Sequence, residues 1–400
     1  MFVRRTLSES LSRLEKAFPV VLVTGARQVG KSTLLKEHHP DIRYVTLDDP
    51  DLRLLANQDP KLFVQRFPSP LIIDEVQYAP ELFSVLKLVV DADRRSGMYW
   101  LSGSQQFHLM KNISDSLAGR LGILHLAGLS TRELANDSTA LPFRPPGPDK
   151  PAAPMTSRAL FERIWRGSYP ELYVNPNLHP DDFYRAYVAT YLQRDVRDLA
   201  QVGDSNAFMV FMRLVAGRTG QLLNVSQLAN EADLTSAKVQ AWLAILEASG
   251  LVIRLMPYHA NQGKRLVKVP KLYFTDTGLA AWLAQWPSPE TLMTGAAAGA
   301  FLETYAVMEI WKSYIHHGLE PPLWFYRDFD QKEVDILLVQ DGTAYPMDVK
   351  NAASVDRRLA KRLQVAEALG LRQGPGLVLS STDQRLPLSG SVDSYPLGWL

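Results

Sequence analysis

Apolar residues recur at helical spacing through Leu7, Leu11, Leu14 and Phe18, which predicts an amphipathic helix over residues 7–18. Short apolar runs then alternate with helical patterns. The predicted strands are 20–24, 43–47, 71–74, 99–102 and 121–127, and helices follow residue 30 and cover 82–94 and about 107–117. This alternation predicts a parallel sheet with helices on both faces, which binds ligands beyond the C-terminal ends of its strands. Prolines 142, 145, 146, 148, 151 and 154 interrupt the pattern and mark a linker over 135–157. Helical periodicity resumes over 158–165 and 181–199. Between these segments, Gly167-Ser168-Tyr169-Pro170 reads as a helix-terminating turn, or as a turn that sets Pro170 against a nucleotide base.

The loop after the first strand carries the sharpest chemistry. Gly25-Ala26-Arg27-Gln28-Val29-Gly30-Lys31-Ser32 matches G-x-x-x-x-G-K-[ST], with Thr33 continuing into the helix. Backbone N–H groups of such a loop and the positive end of the following helix surround a polyphosphate. Lys31 is expected to bridge the β- and γ-phosphates of ATP, and the Ser32 hydroxyl to hold Mg²⁺. The run Leu71-Ile72-Ile73-Asp74-Glu75 supplies the second half of the motif. Asp74 is expected to complete the Mg²⁺ shell, and Glu75 to orient and deprotonate water. Alternatively, the two carboxylates cap the helix that begins near Pro80. Polar residues after the strand at 99–102 offer a γ-phosphate contact: Ser104, or Ser102. Arg120 precedes the last strand, where it reads either as an arginine finger toward a neighbouring copy or as an ordinary intradomain ion pair.

Composition narrows the setting. Hydrophobic residues make up 46% and charged residues 21%, which supports a sizeable core. The net charge of +1 argues against bulk attraction to nucleic acid but leaves a local basic surface open. There is no cysteine, which removes disulfides, thiolate metal sites and cysteine nucleophiles. No apolar run is long enough to cross a bilayer and no signal-type segment opens the chain, so the expectation is a cytoplasmic protein without a membrane partner.

Residues 221–256 predict a winged helix-turn-helix. A short helix lies at 225–229, Ser236 caps a second helix, and a strand begins at Leu251. The basic and apolar alternation over 263–271 resembles a wing. Lys238 and Gln240 would face a DNA groove, or else the module packs against protein. Further on, two strand-like runs flank Asp341-Gly342 and predict a tight hairpin. Pairing Gln340 with Thr343 sets Asp335 opposite Asp348 and Glu333 opposite Lys350, all on one face. Opposed aspartates repel unless a cation compensates. A second divalent cation could do so, with Lys350 activating water and Glu303 adding a carboxylate, as in PD-(D/E)xK nucleases. A solvated face with a Glu333–Lys350 ion pair and a non-cleaving version of that fold are the alternatives.

With these residues in view, the chain resembles a prokaryotic family of AAA-type ATPases that carry a C-terminal domain of the DUF4143 type. The resemblance extends through 25–33, Asp74-Glu75-Val76-Gln77, 102–106, 116–120, 190–196, 261–265, 271–279 and Glu333-Val334-Asp335. It implies an α/β chain: an AAA+ P-loop core (1–134), the linker (135–157), a helical lid (158–220), a winged-helix module (221–285) and a nuclease-like α/β domain (286–400). It also implies ATP with Mg²⁺ but supplies no substrate; DNA through the winged helix, a protein partner and further copies of the chain are the partners that the residues leave open. Members more often carry Glu-x-Lys where this chain has Asp348-Val349-Lys350.

Overall fold

The structure is a computed structural model that describes residues 3–104, 117–138, 141–147, 155–190, 205–259, 269–328, 330–352 and 356–400. The helix expected near 107–117 and much of the segments 181–199 and 261–265 therefore lie outside the described residues. The chain divides into two compact units. One holds residues 1–129, 248–250 and 315–319, and the other holds 130–247, 251–314 and 320–400.

In the first unit the predicted lead-in helix is α1 (Leu7–Ala17), with Leu7 and Leu11 fully buried. Five parallel strands follow: β1 (Val20–Thr24), β2 (Arg43–Thr46), β3 (Leu71–Asp74), β4 (Tyr99–Gly103) and β5 (Leu121–His125), in the order β2-β3-β4-β1-β5. Every residue of β1 and β3 is buried, as expected for strands covered on both faces. Helices α2 (Lys31–His38), α3 (Pro50–Gln58), α4 (Pro60–Arg66) and α5 (Leu82–Asp93) connect them. Asp49 and Asp59 accept N-terminal amide bonds of α3 and α4, each with proline in the first turn, so both starts are coded locally. Phe63, Leu71, Ile73, Leu82, Phe83, Leu86 and Leu101 form the core on one side of the sheet.

In the second unit, helices Val225–Glu231 and Ser236–Ala248 precede an antiparallel pair, β7 (Val252–Leu255) with β8 (Lys271–Phe274), which the two-residue β6 (Gln221–Leu222) extends. The wing expected over 263–271 lies largely outside the described residues. The C-terminal sheet contains β9 (Leu323–Arg327), β10 (Glu333–Gln340), β11 (Thr343–Lys350), the two-residue β12 (Arg372–Gln373), β13 (Gly376–Ser380), β14 (Leu386–Ser389) and β15 (Val392–Pro396). Its main order is β14-β15-β13-β11-β10-β9, mixed in direction. The hairpin has the predicted register, Gln340 opposite Thr343, around a left-handed Asp341-Gly342 pair. Two short helical turns, Leu359–Arg362 and Glu367–Leu369, lie between β11 and β12.

Candidate active site

The phosphate-binding loop sits at the C-terminal end of β1. Gly25 has φ +148°, and a Cβ there would stand 2.1 Å from the Leu126 carbonyl oxygen, so the backbone admits glycine alone. Gly30 has φ +96° and starts α2. Gln28, inside the loop, is also left-handed at φ 61°, while Ala26 and Val29 are buried. Arg5 braces the loop from the start of the chain, donating 2.8 Å to the Val29 carbonyl and 2.7 Å to that of Ala127. Arg5 gives no motif signal; it is found only by tertiary contact.

Lys31 is buried and donates to the carbonyls of Gly25 at 3.1 Å and Ala26 at 2.8 Å. Burial pulls its pKa down to about 8, against the upward pull of Glu75 and Asp74. It therefore carries its charge at neutral pH beside His125, whose pKa burial and the Lys31 charge push down to about 4. The Ser32 hydroxyl donates to Asp74 Oδ2 at 2.8 Å, so the two expected magnesium ligands already share one locus. A cation there would replace the hydroxyl proton as their common partner, which is the fit the motif demands.

β4 lies between β1 and β3, so the strand bearing Asp74 is one strand removed from the loop it serves. The two serines at the end of β4 take different carboxylates. Ser102, fully buried, donates to Asp74 Oδ1. Ser104 donates to Glu75 Oε2 at 3.3 Å and accepts from Gln77 Nε2 at 3.4 Å, and Gln77 also donates to Glu75. Tyr44 of β2 adds a further hydroxyl to Asp74 Oδ2. Tyr44 and Gln77 were not singled out as site residues by sequence; the first has no spacing signal, and the second lies two residues past the carboxylate pair.

Glu75 occupies a left-handed backbone position at φ 55°, which turns its side chain out of the strand direction. Burial raises its pKa, opposed by Lys31 and by the Gln77 hydrogen bond. Neither carboxylate caps the helix that follows: a short 3₁₀ turn, Val76–Tyr78, intervenes before α5. Arg27 reaches across to the Tyr78 hydroxyl at 3.2 Å.

Arg120 is not brought to this cluster within the chain. Its carbonyl accepts from Val20 N–H at the opposite end of β1, about 13 Å of strand away from Thr24. Its guanidinium meets both oxygens of Asp91 on α5 and donates to the Ala118 carbonyl at 2.9 Å.

The C-terminal carboxylates gather around a cation that sequence reasoning did not assign. Lys271 of β8 is buried, with Nζ 2.8 Å from Glu303, 2.6 Å from Glu333 and 3.8 Å from Asp335. Burial alone would lower its pKa, yet the three carboxylates raise it above the usual lysine range. Glu303 also accepts from the Tyr273 hydroxyl at 2.6 Å; burial, reinforced by Asp335 and opposed by Lys271, drives it up to about 7. Asp335 takes the Val349 amide at 2.9 Å, and Asp348 accepts from the Asp335 amide at 3.3 Å. Burial and Asp335 push Asp348 up to about 6 against Lys350, whose Nζ is 3.6 Å from Asp335 and 3.7 Å from Asp348.

The expectation of a second divalent cation at Glu303, Asp335, Asp348 and Lys350 is not supported. Among the described residues, no three of these acidic side chains bring oxygens within 4.8 Å of one another, and the Lys271 ammonium supplies the compensating charge. The Glu333–Lys350 pair is replaced as well: Glu333 meets Arg327 at 3.1 Å and Lys271. The described ladder pairing ends at Ile336–Met347, and beyond it Asp335 accepts from the Val349 amide while its own amide donates to Asp348.

Comparison with known proteins agrees with the motifs. Residues 17–135 match the AAA domain family, 157–290 a domain of unknown function (DUF8612) and 298–400 a domain of unknown function (DUF4143). Two uncharacterized proteins, of Mycobacterium bovis and Mycobacterium tuberculosis, are each 27% identical over 98% of this chain and 83% of their own. Among solved structures, a Walker-type ATPase of Pyrococcus abyssi is 14% identical, covering 71% of this chain and 96% of its own, with a TM-score of 0.46. AMPPCP-bound DnaA of Aquifex aeolicus is 12% identical, covering 60% and 85%, with a TM-score of 0.29.

Proposed function

From a chain built of an AAA domain over 17–135 and a DUF4143 domain over 298–400, we infer a magnesium-dependent ATPase whose nucleotide state governs the domains that follow the core. The observation that carries this reading is the convergence of Lys31, Ser32, Asp74 and Glu75 at one end of a parallel sheet, bound into a network through Ser102 and Ser104. Gly25 to Thr33 would cradle the phosphates through backbone N–H groups, and Lys31 would turn from its own loop carbonyls to the β- and γ-phosphate oxygens. Magnesium held at Ser32 and Asp74 would neutralise charge on the transferring phosphoryl group. Glu75, its pKa raised by burial toward the working range of a general base, takes the proton of the attacking water. Ser104 and Gln77 hold that carboxylate in place.

The test is ATP binding and turnover by the full chain. Lys31→Ala is expected to lose ATP binding and hydrolysis. Glu75→Gln is expected to keep ATP bound while turnover drops by about 10²–10⁴-fold. Turnover by Glu75→Gln equal to the parent would remove the base assignment. Absence of ATP binding by the parent in calorimetry would remove the whole reading.

A further inference from the structure

On the far side of the phosphate loop's own helix, three side chains of metal-ligating type converge. Glu15 comes from α1, His38 is the last residue of α2, and His39 caps that helix, its amide donating 3.0 Å to the Leu35 carbonyl. His39 Nε2 lies 2.9 Å from Glu15 Oε2, and His38 Nε2 lies 3.6 Å from Glu15 Oε1. One ligand atom from each residue falls within 4.8 Å of the other two. In a tetrahedral zinc site with bonds of roughly 2.0–2.1 Å, donor atoms stand about 3.3 Å apart, so the three ligand atoms need close up only modestly to share one ion.

The surroundings fit a site fixed in advance. Trp100 of β4 donates its indole N–H to Glu15 Oε2 at 3.1 Å, and its ring lies 4.2 Å from that of His39 between centroids. His39 Nε2 is buried beside a carboxylate oxygen, Glu15 Oε2, that also accepts from Trp100. Ser12 Oγ, 3.2 Å from His38 Nε2, is the group a metal would displace. The three side chains are 14–18% exposed, which leaves access for a water as fourth ligand.

We propose that Glu15, His38 and His39 bind a zinc-class divalent ion that pins the C-terminal end of α2 to α1. Two imidazoles and one carboxylate select borderline transition metals over Mg²⁺, so this site is chemically separate from the one at Ser32 and Asp74. It does not depend on the ATPase reading.

The experiment is calorimetric titration of the chelator-treated full chain with Zn²⁺, without nucleotide or Mg²⁺, repeated with Co²⁺ and monitored by visible absorption. One equivalent of Zn²⁺ should bind, and Zn²⁺ should displace the coloured Co²⁺ form. His39→Gln and Glu15→Gln should each bind at least about tenfold more weakly, while Ser32→Ala keeps one equivalent. Should one variant fail to fold, the other, with His38→Gln, carries the comparison. No zinc uptake by the parent at micromolar concentrations, or affinity unchanged in the folded variants, would overturn the proposal.

Discussion

Glu75 and Asp74 are adjacent in sequence but live in different electrostatic settings. Asp74 takes hydroxyls from Ser32, Ser102 and Tyr44, while Glu75 turns away through a left-handed residue to meet Gln77 and Ser104. Under the proposed function, that split would give one carboxylate to a metal and the other to proton transfer. It also predicts a pH effect. The Gln77 amide stabilises the ionised form of Glu75, so its removal raises the carboxyl pKa further. Gln77→Leu should therefore shift the acid limb of the ATPase pH profile to higher pH. A limb that stays in place or moves to lower pH would show that the profile reports another group. At this scale Gly25 is equally diagnostic. Gly25→Ala places a methyl group against the Leu126 carbonyl at a φ that side chains avoid, and ATP affinity should fall more than with Ala26→Gly, as measured by calorimetry on folded protein.

Among the elements, β8 does work in two places at once: it completes the three-stranded sheet and delivers Lys271 to carboxylates from β10 and from the helix Ala298–Ile315. Removing that ammonium takes from Glu303 the cation it pairs with, while Glu333 keeps Arg327 and Asp335 keeps Lys350, at a cost of up to about 3–5 kcal/mol. Lys271→Met should thus lower stability, and the loss should depend on pH in a definite direction. Glu303 already binds its proton more tightly folded than unfolded, so folding is favoured at low pH and the advantage fades as pH rises from the unfolded carboxyl range through about 7. Without Lys271 that folded-state pKa climbs further. Urea denaturation should show a smaller deficit at pH 5 than at pH 8, and an equal deficit at both would mean that the carboxylates are not what Lys271 neutralises.

Taken as a whole molecule, the chain keeps its strongest chemistry in one unit and a charge-compensated acidic cluster in the other. Because the Lys271 ammonium already compensates Glu303, Glu333 and Asp335, plasmid and single-stranded DNA incubated with Mg²⁺ or Mn²⁺ should remain intact on a gel. Cleavage that disappears in Asp335→Ala would reverse that expectation. Arg120 belongs to the same scale: it sits at the end of the strands opposite the phosphate loop, so Arg120→Ala should leave ATP affinity unchanged in calorimetry. An effect of that variant on turnover that grows with protein concentration, and that Asp91→Ala does not reproduce, would point to a second copy of the chain.

The local code determined much of this. The alternation of short apolar runs with helices, the glycines and Lys31-Ser32 of the loop, the tandem Asp74-Glu75 and the Asp341-Gly342 turn are all short-range signals, because backbone conformation and side-chain period are set within a few residues. Strand order, by contrast, depends on which long-range contacts form, and only the folded chain inserts β4 between β1 and β3. The bracing of the loop by Arg5, the Tyr44 hydroxyl on Asp74 and the Lys271 ammonium among Glu303, Glu333 and Asp335 share that origin. Lys271 lies 32 residues from one of those partners and sits in a β-run that looks ordinary. Charge pairing inside a core depends on distance in space, a quantity that sequence spacing does not encode until the chain has closed upon itself.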